Sequence, residues 1–384
     1  MSAFNRRQFL GSAGATLAAA GLEPAARASS GHVATPTALQ TPFKLNRLVL
    51  KGTGNAGDFD EKFVDCPFVF RDGAEFRMTY IGFDGTGYQT GLARSTDLVR
   101  WDRVGCILRR QPDNPIFRYN IAMTWIVREN DALSPGNLKK VRGRYLGAWH
   151  AYPNAGMEAG PAVIGLCWSD DLMHWELEEP CLRSDDPDTA AWEQGGLYKP
   201  CLVEYEGRFC LVYNAKTRPL PAGQGGGWHE QIGLATSTDL KHWTRSPYNP
   251  VIRNGPPGSW DDRFASDPCV VRWRNEWAVF YYGLSSKDGK ARDLLALGTS
   301  VDHLVKTDSI LVNAGPPGSV DDDYAHKPSV IAWNGAFYHF YTAVSGKYPH
   351  DIRGISVARS HPWKQQFTAH QTGGPGSRNG TGRT

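Results

Sequence analysis

Charge is scarce in this 384-residue chain. Asp, Glu, Lys and Arg make up 21% of it, and 42 basic against 39 acidic residues leave a formal net charge of +3. No Lys/Arg run occurs, so the basic surface that would displace counterions from a phosphate backbone is missing, and nucleic acid is excluded as a partner. The seven cysteines show no disulfide framework and no C-x-x-C pair, and the 11 histidines lack i, i+4 spacing. No cofactor is called for, and a bound ion would be an accessory one. Outside the N-terminus no 18-residue uncharged run exists, so no membrane insertion is expected once a signal is removed. Helix-period patterns of useful length are also missing. What remains is globular, 41% hydrophobic with 13 Trp, 15 Tyr and 16 Phe, enough for a large core.

The N-terminus carries a targeting pattern. Arg6-Arg7-Gln8-Phe9-Leu10 is a twin-arginine pair, followed by small apolar residues to about Leu22 and then Ala26-Arg27-Ala28, an A-x-A cleavage site. Residues 1–28 are expected to be a Tat signal peptide, placing the mature protein in the periplasm or outside the cell. Residues 29–40 are expected as a linker, 41–366 as one domain, and the Gly-rich 367–384 as a flexible tail.

That domain is organised by repetition. Ser95-Thr96-Asp97-Leu98-Val99-Arg100-Trp101 recurs as Ser169-Asp170-Asp171-Leu172-Met173-His174-Trp175 and Ser237-Thr238-Asp239-Leu240-Lys241-His242-Trp243, with a weaker copy at Ser300-Val301-Asp302-His303-Leu304. Each interval holds several short β-rich runs and fits four strands. Short antiparallel strands at this repeat length describe the blade of a propeller. A second block precedes each unit: Phe59-Asp60 stands eight and seven residues before Pro67, Trp192-Glu193 before Pro200, Trp260-Asp261 before Pro268, and Val320-Asp321 before Pro328. Alternating apolar residues follow each proline, which reads as the innermost strand of a blade beginning after an extended X-Pro step. Met123-Thr124-Trp125-Ile126-Val127 is a degenerate fifth copy without the proline. Phe43–Leu50 is left to complete the last blade.

Together the Ser-x-Asp-Leu-x-x-Trp units, the Asp-x-Pro at the first inner strand and the count of five resemble the five-bladed β-propeller glycoside hydrolases, families typified by 32, 43, 117 and 130. The fold class implied is all-β, a five-bladed β-propeller with four antiparallel strands per blade. The resemblance also implies catalytic groups where the innermost strands begin, around the central axis. A physical argument points to the same place. The strand starts converge at one end of the axial channel, and the positions one and two before each proline, Asp65-Cys66, Tyr198-Lys199, Ser266-Asp267 and His326-Lys327, are where the repeat stops repeating.

Glycoside hydrolysis needs a base or nucleophile and a proton donor with separated pKa values. Asp65 is taken as the base, His326 as the acid and Asp267 as the carboxylate that holds the histidine's proton. This set resembles family 117. A family 43-like assignment would instead make Glu193 the acid, although Glu193 aligns with Asp60, Asp261 and Asp321, which favours a role in blade contacts. Lys199, Lys327 and Arg353 place cations near the funnel, for a carboxylated sugar or, as in some family 130 members, phosphate. Glu158, His229, Glu230 and Asp293 are expected on loops opening to the same face. Trp125, Trp192, Trp228 and Trp260 are candidate sugar platforms, and Trp101, Trp175 and Trp243 are assigned to the core. The expected function is an exo-acting glycosidase on an oligosaccharide of plant or algal origin. The alternatives are a non-catalytic carbohydrate-binding propeller and a glycoside phosphorylase.

Overall fold

A computed structural model describes residues 32–221, 227–347 and 350–363. The expected signal peptide and tail lie outside the described residues. Among the described residues, the regular elements are all strands apart from two single 3-10 turns, and no helix is long and apolar enough to cross a membrane.

Antiparallel pairing groups the strands into five units. Blade one is Phe63–Asp72, Glu75–Phe83, Tyr88–Ser95 and Asp102–Leu108. Blade two is Ala122–Ile126, Arg144–Ala151, Val163–Ser169 and Glu176–Leu182. Blade three is Gly196–Tyr205, Arg208–Lys216, Glu230–Ser237 and Thr244–Arg245, and blade four is Phe264–Trp273, Glu276–Leu284, Ala291–Ser300 and His303–Lys306. Blade five is Tyr324–Trp333, Ala336–Ser345 and Ile352–Arg359, and Phe43–Lys44 and Leu50–Lys51 from the start of the domain pair with its third strand. The upstream segment, expected as linker, runs along blade four: Val33 bridges Thr307 and the Thr35 backbone bonds Asp308.

The first repeated motif is a turn device. Ser95 Oγ accepts from the backbone N–H groups of Asp97 and Leu98, and Asp97 Oδ1 accepts from those of Val99 and Arg100. Leu98, Leu172 and Leu240 sit at φ 65°, 67° and 69°, a left-handed conformation that the hydroxyl and carboxylate hold in place. Trp101 is buried and Trp175 and Trp243 pack against the core, as assigned.

The second repeat departs from the expected extended X-Pro step. Cys66, Lys199, Asp267 and Lys327, each directly before its proline, have φ of 50°, 49°, 52° and 65°. Such conformations cost ~1–3 kcal/mol each for a residue with a side chain and persist where surrounding structure over-determines them. The over-determination is a β-bulge. In blade one Asp65 pairs with Ile81 and Phe68 with Thr79, so Cys66 and Pro67 together oppose Tyr80. The same shift sets Lys199-Pro200 against Tyr213, Asp267-Pro268 against Tyr281 and Lys327-Pro328 against Tyr341. A bulge breaks strict strand alternation, so two consecutive side chains from one strand reach the axial space.

Each opposing tyrosine then binds the acidic residue of its own repeat. Tyr80 donates to Asp60 at 3.1 Å, Tyr213 to Glu193 at 2.5 Å, Tyr281 to Asp261 at 3.1 Å and Tyr341 to Asp321 at 2.9 Å. A cation from the blade's outer edge completes each set: Arg103 at 2.8 Å, Arg245 at 3.3 Å, Lys306 at 2.6 Å and Lys44 at 2.5 Å. Four blades therefore carry one acid–tyrosine–cation clasp each. Phe59 and Trp192, one residue before the acid, lie against Tyr80 and Tyr213 at 6.0 and 6.4 Å.

Candidate active site

The bulges of blades one, three, four and five bring Asp65, Lys199, Ser266, Asp267, His326 and Lys327 to the axis, each almost wholly buried. Lys327 is the hub. Its ammonium lies 2.8 Å from Asp65 Oδ2, 3.4 Å from Glu158 Oε1 and 3.9 Å from Asp267 Oδ2. Asp65 Oδ2 also accepts from Arg353 at 2.9 Å, while Oδ1 accepts from the Thr342 hydroxyl and the Cys66 N–H, both at 2.8 Å. Burial alone would raise the Asp65 pKa, but Lys327 and Arg353 outweigh it and hold the carboxyl well below the usual range. Asp65 is a firmly ionised carboxylate.

His326 differs from its expected role. Its Nδ1 donates to the Thr342 carbonyl at 2.9 Å, which leaves Nε2 as a bare lone pair. Burial, with Lys327 nearby, holds the imidazole well below its ordinary pKa. A proton on Nε2 would require the imidazolium, which this environment disfavours. The ring is therefore a neutral acceptor, wedged between Tyr282 and Tyr324 at 5.2 and 5.4 Å. Its orienting partner is the Thr342 carbonyl, whereas Asp267 bonds Ser266 and approaches Lys327.

Glu230, at the first residue of the third strand in blade three, converges on the same space and is fully buried. It accepts from Trp228 Nε1 at 2.9 Å, Ser266 Oγ at 2.6 Å, Tyr282 OH at 3.3 Å and Asn214 Nδ2 at 3.4 Å. Ser266 Oγ also stands 3.0 Å from Asp267 Oδ1. A serine has a single hydroxyl hydrogen, and here two carboxyl groups face it.

Other candidates fall elsewhere. Glu193 is bound by Tyr213, Arg245 and the Ala190 N–H, locked in the clasp of blade three, so its position gives it a role in blade contacts. Trp125 is buried against Phe68 at 4.6 Å with the Arg128 guanidinium 5.4 Å from its ring, and no sugar can reach it. Trp192 stacks on Tyr213. Trp260 is exposed, but the Arg292 guanidinium lies 4.7 Å over its ring. Asp293, expected on a loop, is inside a strand and fully buried at 3.0 Å from His339 Nε2. Burial pushes that carboxyl up and the imidazole down to about 3, a neutral acid–imidazole pair.

Trp228 stays at the mouth, half-buried and stacked on Phe264 at 6.2 Å, and half-buried His229 follows it, its backbone N–H bonding Thr217 Oγ1. Tyr152 and Lys216, without a counterpart in the sequence expectations, stand here beside Tyr198. Tyr152 and Tyr198 pack at 5.8 Å, and Lys216 holds its ammonium over Tyr152, Tyr198 and Trp228 at 5.4, 5.6 and 5.4 Å. Lysine beside three aromatics from separate segments of the chain leaves no local signature. The clasp tyrosines do have one, since each lies 13 residues after its proline.

A family model described as the Glycosyl hydrolases family 32 N-terminal domain matches residues 130–304. Among solved structures, that of BT0996 in complex with RGII is similar at 26% identity and a TM-score of 0.74, covering 89% of this protein and 97% of that one. A structure described as a glycoside hydrolase is similar at 25% identity and a TM-score of 0.71, covering 88% and 96%. The family 117 glycoside hydrolase Zg3597 of Zobellia galactanivorans shares the fold at 14% identity and a TM-score of 0.56, covering 84% and 92%. With an all-β fold, bulges that gather carboxylates on one axis and these likenesses, the chain is a β-propeller glycoside hydrolase.

Proposed function

We propose that this enzyme removes single terminal sugars from an oligosaccharide by acid/base catalysis carried by its own side chains, with Asp65 as the ionised carboxylate and Glu230 as the proton donor. The observation that carries this reading is the convergence of two buried carboxyl groups from different blades on one space. Asp65 is held as an anion by Lys327 and Arg353, and Glu230 has the Trp228 indole and the Ser266 and Tyr282 hydroxyls aimed at its carboxyl group. Glycoside hydrolysis asks for such a pair, one group ionised and one that gives a proton. The Ser266 contact sharpens it. Ser266 Oγ links Glu230 to Asp267 in one hydrogen-bonded row, which positions Glu230 to give its proton to the leaving oxygen.

Lys327 has Glu158 and Asp267 within 4 Å as alternative acceptors, so it can turn from Asp65 when a sugar arrives and free a lone pair for water or the anomeric carbon. His326 Nε2 then accepts from a sugar hydroxyl. Residues that converge from strand starts around one axis form a pocket rather than an open cleft, which supports exo action. Engagement of Lys327 and Arg353 by Asp65 favours hydrolysis over phosphorolysis, and the convergence of two buried carboxyl groups on one space favours an enzyme over a silent binding module. The complex of the similar protein BT0996 with RGII makes oligosaccharides of RGII the first substrates to try. Export through the Tat route, with cleavage after Ala28, belongs to the same reading. Incubation with RGII oligosaccharides and with other plant and algal oligosaccharides, with and without added phosphate, tests it. Phosphate-independent release of monosaccharides supports it; endo-type shortening, or turnover that requires phosphate, contradicts it.

A further inference from the structure

The cations of the candidate site, Lys199, Lys327 and Arg353, are not equivalent. Lys327 and Arg353 each have carboxylates within 4 Å. Lys199 occupies the same bulge position in blade three and is 2% exposed, yet among the described residues no carboxylate lies within 4 Å of its ammonium. Burial would lower its pKa, but Cys201, Cys66 and, at longer range, Asp267 outweigh that and keep the ammonium charged. An ammonium out of water without a carboxylate at contact distance is costly, and proteins that retain one need an anion from elsewhere.

The surroundings suit a sugar. The Lys199 backbone N–H donates to His150 Nδ1 at 3.3 Å, and His150 is kept neutral, its pKa lowered to about 3 by burial and by Lys199. Next to Lys199 stands Tyr198, which with Tyr152 and Trp228 forms the aromatic wall under Lys216. One buried lysine, a second lysine across the rings and an apolar wall between them make a place for a ring that is flat on one face and anionic at one edge. Asp65, by contrast, already has Lys327 and Arg353 as its cations.

We infer that the site recognises an anionic sugar, a uronic acid whose carboxylate takes Lys199 as its counter-ion. This rests on the glycosidase reading above and names the class of its substrate. A charge-assisted contact of this kind discriminates a carboxylate from a hydroxymethyl group by at least about tenfold.

Calorimetric titration of the whole protein with D-glucuronate and D-galacturonate, against D-glucose and D-galactose, tests the inference. The uronates should bind at least about tenfold more tightly, the preference should shrink between low and high salt, Lys199→Met should abolish it and Lys199→Arg should keep part of it. Equal binding of uronates and neutral sugars by the wild-type protein, or a preference that survives in Lys199→Met, overturns the proposal. Since the wild-type comparison and its salt dependence need no variant, poor folding of Lys199→Met does not blunt the test. Inorganic phosphate is the further arm: Lys199-dependent binding of phosphate without uronate preference overturns both this proposal and the hydrolytic reading. Neutral-sugar binding with no preference overturns this proposal alone.

Discussion

Lys44 reaches across 277 residues of sequence to Asp321 and closes on its Oδ2 at 2.5 Å. The other three clasps take their cation from their own blade, whereas the last blade takes it from the first strand of the domain. That strand pairs with the last one at Phe43–Arg359 and Lys44–Ala358. The ring is thus closed by a short ladder and one buried charge contact together.

Removal of that contact is expected to open the ring rather than harm the chemistry. Lys44→Met leaves the buried Asp321 with the Tyr341 and Ser319 hydroxyls but no cation and should lower the unfolding free energy by roughly 3 kcal/mol, the scale of breaking one partner from a buried ion pair. Urea unfolding monitored by Trp fluorescence checks the value. Turnover per folded molecule should stay at the wild-type level, and a loss below about 0.5 kcal/mol would contradict the closing role.

Glu193→Gln should behave as a clasp mutation in the same way. The amide retains a contact with Tyr213 but loses the charge facing Arg245, so stability should fall by about 1–3 kcal/mol with kcat/KM unchanged. Thermal melts and steady-state kinetics on one substrate separate the two effects.

Much of this is legible in the amino-acid sequence. The Ser-x-Asp-Leu-x-x-Trp turns and the acid seven residues before each proline set blade register, and the recurrence of an acid at the position of Glu193 marks it as structural. Breaks in the repeat locate Asp65, Asp267, His326 and Lys327. The left-handed residues before the prolines are not legible, because the steric rule for X-Pro argues for extended backbone and only the bulge in strand pairing overrides it. The role of His326 escapes for a similar reason: the atom that fixes its tautomer is a backbone carbonyl, which no side-chain pattern reveals. Glu230 and Ser266 belong to different blades 36 residues apart, and only packing places them 2.6 Å from each other.

Stability should fall as the medium is acidified below neutrality. His150 and His326 are buried and neutral in the folded protein, with pKa values pushed below the ordinary 6.5, His150 to about 3. Unfolding lets each bind a proton once the pH drops below about 6.5, so the unfolded state gains protons that the folded state refuses. The Asp293–His339 pair contributes with opposite signs and largely cancels. The two fully buried imidazoles correspond to roughly 3 kcal/mol per pH unit between about pH 6 and 4, and half-buried His229, its pKa also lowered by burial, adds a smaller share. Urea midpoints measured across that range check the slope; flat midpoints would show that the imidazoles accept protons in place.

The Asp65 carboxyl should become easier to protonate once a cation is taken away. Lys327→Met removes the largest favourable charge beside it while burial remains, so the acidic limb of the kcat/KM profile should move to higher pH by about one unit or more. A profile that only drops in height would mean that Lys327 does not set the ionisation of Asp65.

The central claim is that Glu230 delivers the proton. Its most direct test is the rate of Glu230→Gln on two substrates sharing one sugar, one with an ordinary alkyl or sugar leaving group and one with a nitrophenol. Loss of a general acid should slow the first by about 10²–10⁴ and leave the second nearly intact, because a nitrophenolate departs without protonation. His326→Ala, as the loss of an acceptor for a sugar hydroxyl, should slow both alike. Equal losses on both substrates in Glu230→Gln, with the selective loss appearing instead in His326→Ala, would contradict the account.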